Sequence, residues 1–141
     1  MNEGWIGDDY LILFEESEVA TLSDRYTISQ FLPGFRVLGL RGWDDFIVRD
    51  SQGNTFTIPT VPIDAQYLAP FAFPEQIEKL HPDVRFTGKI KWYVQPIFFG
   101  GDPGDGKNLI WVSLQKHVEL VLWWNDPARS VSNTGGTIPR A

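Results

Sequence analysis

The sequence predicts an α+β fold: a single, mostly antiparallel sheet with helices packed on it. Three observations predict it. Short runs of strand-forming residues joined by turn sequences follow one another between Leu32 and Pro59. Two segments, one from Glu15 and one from Leu114, switch to the three-and-four spacing of an amphipathic helix. No internal repeat and no long linker divides the chain, so one domain over residues 1–126 with a weakly ordered tail at 127–141 accounts for all of it.

In chain order, Tyr10-Leu-Ile-Leu-Phe14 has the length and composition of a buried strand inside the sheet. From Glu15, Val19, Leu22 and Tyr26 recur at helical spacing, and Glu15, Glu16 and Glu18 sit at the end where the helix dipole favours negative charge. Residues 26–31 fit no single pattern, and Pro33-Gly34 turns the chain. Phe35 to Leu40 and Phe46 to Arg49 read as antiparallel strands joined through Arg41-Gly-Trp-Asp, where Gly42 can take a positive φ and Asp44 can bond nearby backbone. Phe46 and Val48 then face one side, Ile47 and Arg49 the other. Gln52-Gly-Asn54 leads into a third strand, Thr55 to Ile58, which completes a meander.

Pro59, Pro62 and Pro70 each remove a backbone donor, so residues 60–73 run irregularly along the sheet edge. Pro74 opens a short helix over 75–80. Trp92 to Phe99 reads as a strand interrupted at Pro96, followed by the loop Gly100 to Gly106 and a strand from Leu109 to Val112. Ser113 caps the last helix, whose face of Leu114, Val118, Val121 and Leu122 packs on the sheet. Pro127 bounds that helix near Asn125.

Composition narrows the function. With 141 residues, 43% apolar and 14% aromatic, including six Trp and ten Phe, the chain can bury a substantial core. The absence of Cys removes disulfides, thiolate nucleophiles and thiolate metal ligands. No apolar run approaches the roughly 20 residues that cross a bilayer, and Met1-Asn-Glu-Gly-Trp5 lacks a signal peptide's basic-then-apolar pattern, so a cytoplasmic protein is expected. A net charge of −6 and a pI near 4.8 argue against nucleic acid or an anionic membrane as main partner. Residues 1–75 carry twelve acids against four bases, whereas 76–141 carry six against eight. That acidic first half suits a basic protein partner, and it is equally the kind of surface that keeps a domain in solution.

Residues that could carry chemistry read more simply as structure. Asp44, Asp45 and Asp50 have the composition of a carboxylate metal site or an acid and base pair, but neighbouring strand residues point to opposite faces. They read as turn formers and a solvated strand end. The Gly100 to Gly106 loop is followed by a strand rather than a helix and lacks the Lys-Ser or Lys-Thr of a phosphate cradle, so it reads as a connection. His81 and His117 fall in no zinc pattern, and His117 is expected to be hydrogen-bonded and partly buried. With no Gly-x-Ser-x-Gly elbow either, neither enzyme activity nor a metal or other cofactor is expected. Trp111 and Trp124 are expected to pack inward, leaving Trp5, Trp43 and Trp92 as candidate exposed anchors.

Asp9-Tyr-Leu-Ile-Leu-Phe14, Tyr26, Phe31-Leu-Pro-Gly-Phe35, Gly39 and the pattern through Asp50 and Gly53 together resemble the SUKH superfamily. That superfamily includes bacterial immunity proteins of polymorphic toxin systems and yeast cell-wall assembly regulators. Pro96-Ile-Phe-Phe-Gly-Gly-Asp-Pro103, Lys107-Asn108, Trp111, His117 to Val121 and Trp124-Asn125 look like C-terminal segments of bacterial members. The resemblance implies a non-enzymatic immunity protein that binds a cognate, basic toxin domain; the alternative is an intracellular scaffold or adaptor of the same superfamily.

The resemblance also implies N-terminal helices, and their absence is expected here, since Met1 to Gly7 reads as the turn that follows them. A natural start upstream of Met1, and an uncovered sheet face open to partners or to homo-oligomerisation, are therefore expected. The family's glycine-rich turn is replaced here by Arg41-Gly-Trp-Asp-Asp45. The expected partner-binding set is Trp43, Asp44, Asp45, Asp50 and Arg41, with Trp43 as an exposed anchor whose truncation weakens binding at little cost in stability.

Overall fold

A computed structural model describes residues 1–75 and 79–126 and has the α+β, antiparallel architecture. The chain forms two compact units, Met1–Thr87 and a second beginning at Gly88. No run of Pro, Gly or Ser marks Thr87-Gly88, so composition carries no signal of the division.

The first unit is built on a six-stranded sheet in the order β1-β2-β3-β4-β5-β6, with every neighbour antiparallel. The meander therefore runs through the whole sheet. Its first strand, β1 (Asn2–Ile6), corrects the reading of Met1 to Gly7 as a turn: it pairs with β2 (Asp9–Leu13) from Asn2↔Leu13 to Ile6↔Asp9. The turn is Gly7-Asp8, where Gly7 at φ 59° supplies the left-handed residue that a two-residue hairpin needs.

Helix α1 (Glu16–Arg25) starts where the acids predict: the Glu18 carboxylate accepts from the Glu15 amide at 2.8 Å, and the Met1 amino group lies 3.1 Å from Glu15 and 3.2 Å from Glu18. Val19 and Leu22 are buried, and the Val37 amide donates to Ser23 Oγ at 2.9 Å, tying the helix to β3 (Arg36–Arg41). Tyr26 closes α1, fully buried and edge-on to Phe46 with ring centres 4.9 Å apart. Thr27 at φ 52° then redirects the chain into the short α2 (Ile28–Phe31), which settles the ambiguous 26–31 stretch.

Strands β3 and β4 (Asp45–Arg49) carry a register shift between Val37 and Gly39. Gly39 is required there, because a Cβ would stand 2.1 Å from the Ile12 carbonyl oxygen. The β4 alternation is as expected, but Phe46, Ile47 and Val48 are all buried and only Arg49 is exposed. β5 (Thr55–Pro59) ends in a proline, and β6 (Ala69–Pro70) adds a two-residue edge through Phe56↔Pro70 and Thr57↔Ala69. Between them the chain is irregular apart from one 3-10 turn, Ala65–Tyr67, capped by the Asp64 carboxylate. Of the helix expected over 75–80, residues 76–78 lie outside the described residues. His81 then pairs through its backbone with Trp5, with both bonds 2.9 Å. Gly4 permits that approach, since a Cβ there would meet the His81 backbone at 2.7 Å.

In the second unit β7 (Ile90–Tyr93) and β8 (Leu109–Val112) form a two-stranded antiparallel ladder of their own. The strand expected over 92–99 ends at Tyr93; Pro96 caps a 3-10 turn, Ile97–Phe99, instead. Helix α3 (Leu114–Trp124) is capped as expected, Ser113 Oγ accepting from the Lys116 amide at 3.2 Å, and within this unit it packs against β7. Its buried face is His117, Val118, Leu120, Val121 and Trp124, rotated from the expected stripe, with Leu114 and Leu122 only half-buried. Among the described residues no helix is long and apolar enough to cross a membrane. The expected tail, 127–141, lies outside the described residues.

Candidate partner-binding site

The antiparallel register brings the β1–β2 turn and the β3–β4 turn to the same end of the sheet, because Leu11 pairs with Arg41 and the Gly42 amide donates to the Tyr10 carbonyl at 2.7 Å. Beside them, the Thr60 amide and hydroxyl donate to the Asp44 carbonyl at 3.0 and 3.2 Å. The Gly42-Trp43-Asp44 loop is thus pinned on both sides by neighbouring backbone. Its acids are a product of that register: Asp8, Asp9 and Asp44 are exposed and Asp45 is half-buried, with Arg41 among them.

Arg41 Nε lies 3.7 Å from Asp9 Oδ1, and the guanidinium sits 5.7 Å from the centre of the Phe71 ring. Burial raises the Asp45 carboxyl above the usual carboxylate range; Arg41 opposes the shift and Asp44 adds to it. The result is a sheet end with more carboxylates than cations, held by backbone rather than by flexible side chains.

Trp43 is not the free-standing anchor expected. It takes φ 62°, a conformation uncommon outside glycine, and its ring stacks on the buried Tyr10 with centres 4.7 Å apart and planes at 17°. Phe86 lies edge-on at 5.2 Å and Trp5 at 6.3 Å. The loop puts Trp43 on this cluster, so the ring serves packing as well as surface and only part of it faces solvent. Segment 81–87 completes the cluster: Asp83 accepts from Trp5 Nε1 at 3.1 Å and from Arg85 Nη2 at 2.7 Å. Those bonds, the Arg85 pair foremost, hold the Asp83 carboxyl well below its usual range. Glu3 accepts from the Tyr10 hydroxyl at 2.7 Å; burial first, and this neighbour second, push that phenol well above its ordinary value.

Asp50 belongs elsewhere. It follows β4 at the end opposite Asp45, and accepts from the Gln52 amide at 3.0 Å and from the Asn54 amide at 2.9 Å. Burial works to raise this carboxyl, but the bonds from Asn54, Gln52 and Gly53 hold it below the usual range. It is a turn former, not part of the acidic end.

The other anchors also move. Trp5 is half-buried in the cluster, while Trp92 is buried edge-on to His117 at 5.4 Å. Trp111, expected to pack inward, is 38% exposed, because it lies on the β8 face opposite that of Val112. His117 is fully rather than partly buried, and burial pushes its pKa down to about 3.

The Gly100 to Gly106 loop is a structural connection: Asp102 and Asp105 accept from the amides of Gly104 and Lys107, and Asn108 Nδ2 donates to the Gln95 carbonyl at 3.0 Å. Gly101 leaves room for this clamp, since a Cβ would stand 1.8 Å from Gln95 O. Among the described residues no cluster of three or more His, Asp or Glu is placed to hold a metal ion.

Asp8 and Asp9 were missed in the sequence because the β1–β2 hairpin was. The signal was Gly7-Asp8 between two runs that can pair, Asn2 to Ile6 and Asp9 to Leu13. No family model matches the chain, and no curated protein or solved structure matches it either.

Proposed function

We propose that this chain is a non-enzymatic, cytoplasmic binding protein that neutralises a cognate basic toxin domain, docking it on the acidic end of the six-stranded sheet. The observation that carries the docking site is the convergence of Asp8, Asp9, Asp44 and Asp45 from two adjacent hairpins onto a backbone-pinned edge that also carries Arg41. An acidic, preorganised edge steers a basic partner at long range and can cover a cleft that itself binds polyanions. Trp43, packed on Tyr10, supplies a rigid partly exposed ring beside those charges, which suits an interface anchor that needs little reordering on binding. The resemblance of the Asp9 to Gly53 pattern to SUKH immunity proteins supports the toxin as partner.

The test is protection. The toxin domain that the proposal expects to be encoded beside this gene is expressed with and without the chain. Growth restored by the wild-type chain, and lost when Asp8 and Asp44 are changed to Lys, is the expected result. Equal killing with and without the chain would overturn the proposal, and stable capture of a partner with no toxic activity would favour an adaptor instead.

A further inference from the structure

At the opposite end of the same sheet, β3 and β4 place Arg36 directly across from Arg49. Cross-strand partners share a face with Cβ atoms about 5 Å apart, and like charges in that relation repel. Among the described residues neither arginine has an ion pair; Arg49 has only the Phe73 ring, 5.8 Å from its guanidinium carbon. The pair lines a cleft of about 590 Å³, with Phe14, Val19, Leu38 and Phe73 as its apolar lining. That volume falls within the roughly 300–1,000 Å³ usual for small-molecule sites, which combine apolar walls with a few convergent polar groups. Two acids also line it. Asp50 accepts hydrogen bonds from its own turn, and Glu16 is exposed on the first turn of α1.

We propose that this cleft binds a small monocarboxylate with an apolar or aromatic body, the carboxylate between Arg36 and Arg49 and the body against Phe14, Leu38 and Phe73. Guanidinium groups match a carboxylate with paired N–H donors, and a bound anion relieves the repulsion between the two arginines. Glu16 and Asp50 balance the arginines in number, so a single negative charge suits the site better than a phosphate dianion. The site lies at the other end of the sheet from the proposed toxin surface and does not depend on it.

The full chain is titrated with phenylacetate, phenylacetamide and phenyl phosphate, following the arginine side-chain N–H resonances. Phenylacetate is expected to give saturable shifts at Arg36 and Arg49, with phenylacetamide at least tenfold weaker and phenyl phosphate weaker than phenylacetate. Arg36→Gln and Arg49→Gln each weaken phenylacetate at least tenfold, and without ligand Arg36→Gln raises Tm because the repulsion is gone. Equal binding of the amide, tighter binding of the phosphate, no saturable shift with phenylacetate, or a lower Tm for ligand-free Arg36→Gln would overturn the proposal. The amide comparison uses the unaltered chain, so it stands even where a variant folds poorly.

Discussion

Trp43 offers two opposed contributions that substitution can separate. Its ring is half-buried against Tyr10, Phe86 and Trp5, while its backbone sits at φ 62°. Truncating a fully buried Trp or Phe to Ala costs about 3–5 kcal/mol, so a half-buried ring with one stacked partner is worth about 2–3 kcal/mol. The left-handed backbone acts the other way, costing any residue with a Cβ about 1 kcal/mol relative to Gly. Trp43→Ala is therefore expected to lose about 2–3 kcal/mol, and Trp43→Gly about 1 kcal/mol less than that. Urea unfolding followed by near-UV circular dichroism, which reports the aromatic cluster, measures both. A loss under about 0.5 kcal/mol for Ala would mean that the ring is not packed, and a Gly variant less stable than the Ala variant would refute the strained backbone.

Three further outcomes follow from the same geometry. His117 stays neutral when folded, with a pKa near 3, whereas the unfolded chain takes up a proton near pH 6.5; stability is full above that value and falls as pH drops toward 3. Between pH 7 and 5 this amounts to about 2 kcal/mol at about 1.4 kcal/mol per unit, and urea midpoints of His117→Leu should lack that loss. Asp45 has its folded pKa raised, so its charged form is disfavoured when folded: the penalty is full above the folded pKa and disappears below the unfolded value. Asp45→Asn should raise Tm at pH 7 and leave it unchanged at pH 3, as read by calorimetry. Gly39→Ala forces a Cβ to 2.1 Å from the Ile12 carbonyl and should cost about 3 kcal/mol or more in chemical denaturation, with the loss of dispersed β-sheet amide resonances first in β2 and β3.

Where sequence spacing alone fixes a neighbour, the fold was legible. The β3–β4–β5 meander, α1 with its acidic start and Ser113 as the α3 cap depend on contacts within a few residues, and each lies where the pattern puts it. What depended on distant backbone was not. β1 was hidden because its alternation is weak and it pairs only with β2 among the described strands; the face of α3 was rotated because burial of a polar His117 reads as surface in a hydrophobic pattern. At the candidate site, Arg41, Trp43, Asp44 and Asp45 are contiguous and stayed together, while Asp50, only five residues from Asp45, lies at the far end of a strand that advances about 3.3 Å per residue. The stacking of Trp43 on Tyr10 links residues far apart in sequence, and no local rule announces it.

The measurement closest to the central claim is a calorimetric titration of the toxin domain that the proposal expects in the adjacent gene into three chains: the wild type, an Asp8→Lys/Asp44→Lys double variant and an Asp24→Lys control on α1. Each titration is run at low and at high salt. Docking on the acidic sheet end predicts binding that weakens with salt, at least 100-fold loss in the double variant and less than about threefold change in the control, since charge reversal at an interface costs several kcal/mol and at a remote site almost nothing. A double variant that binds as tightly as the wild type, with the same salt dependence, would contradict it.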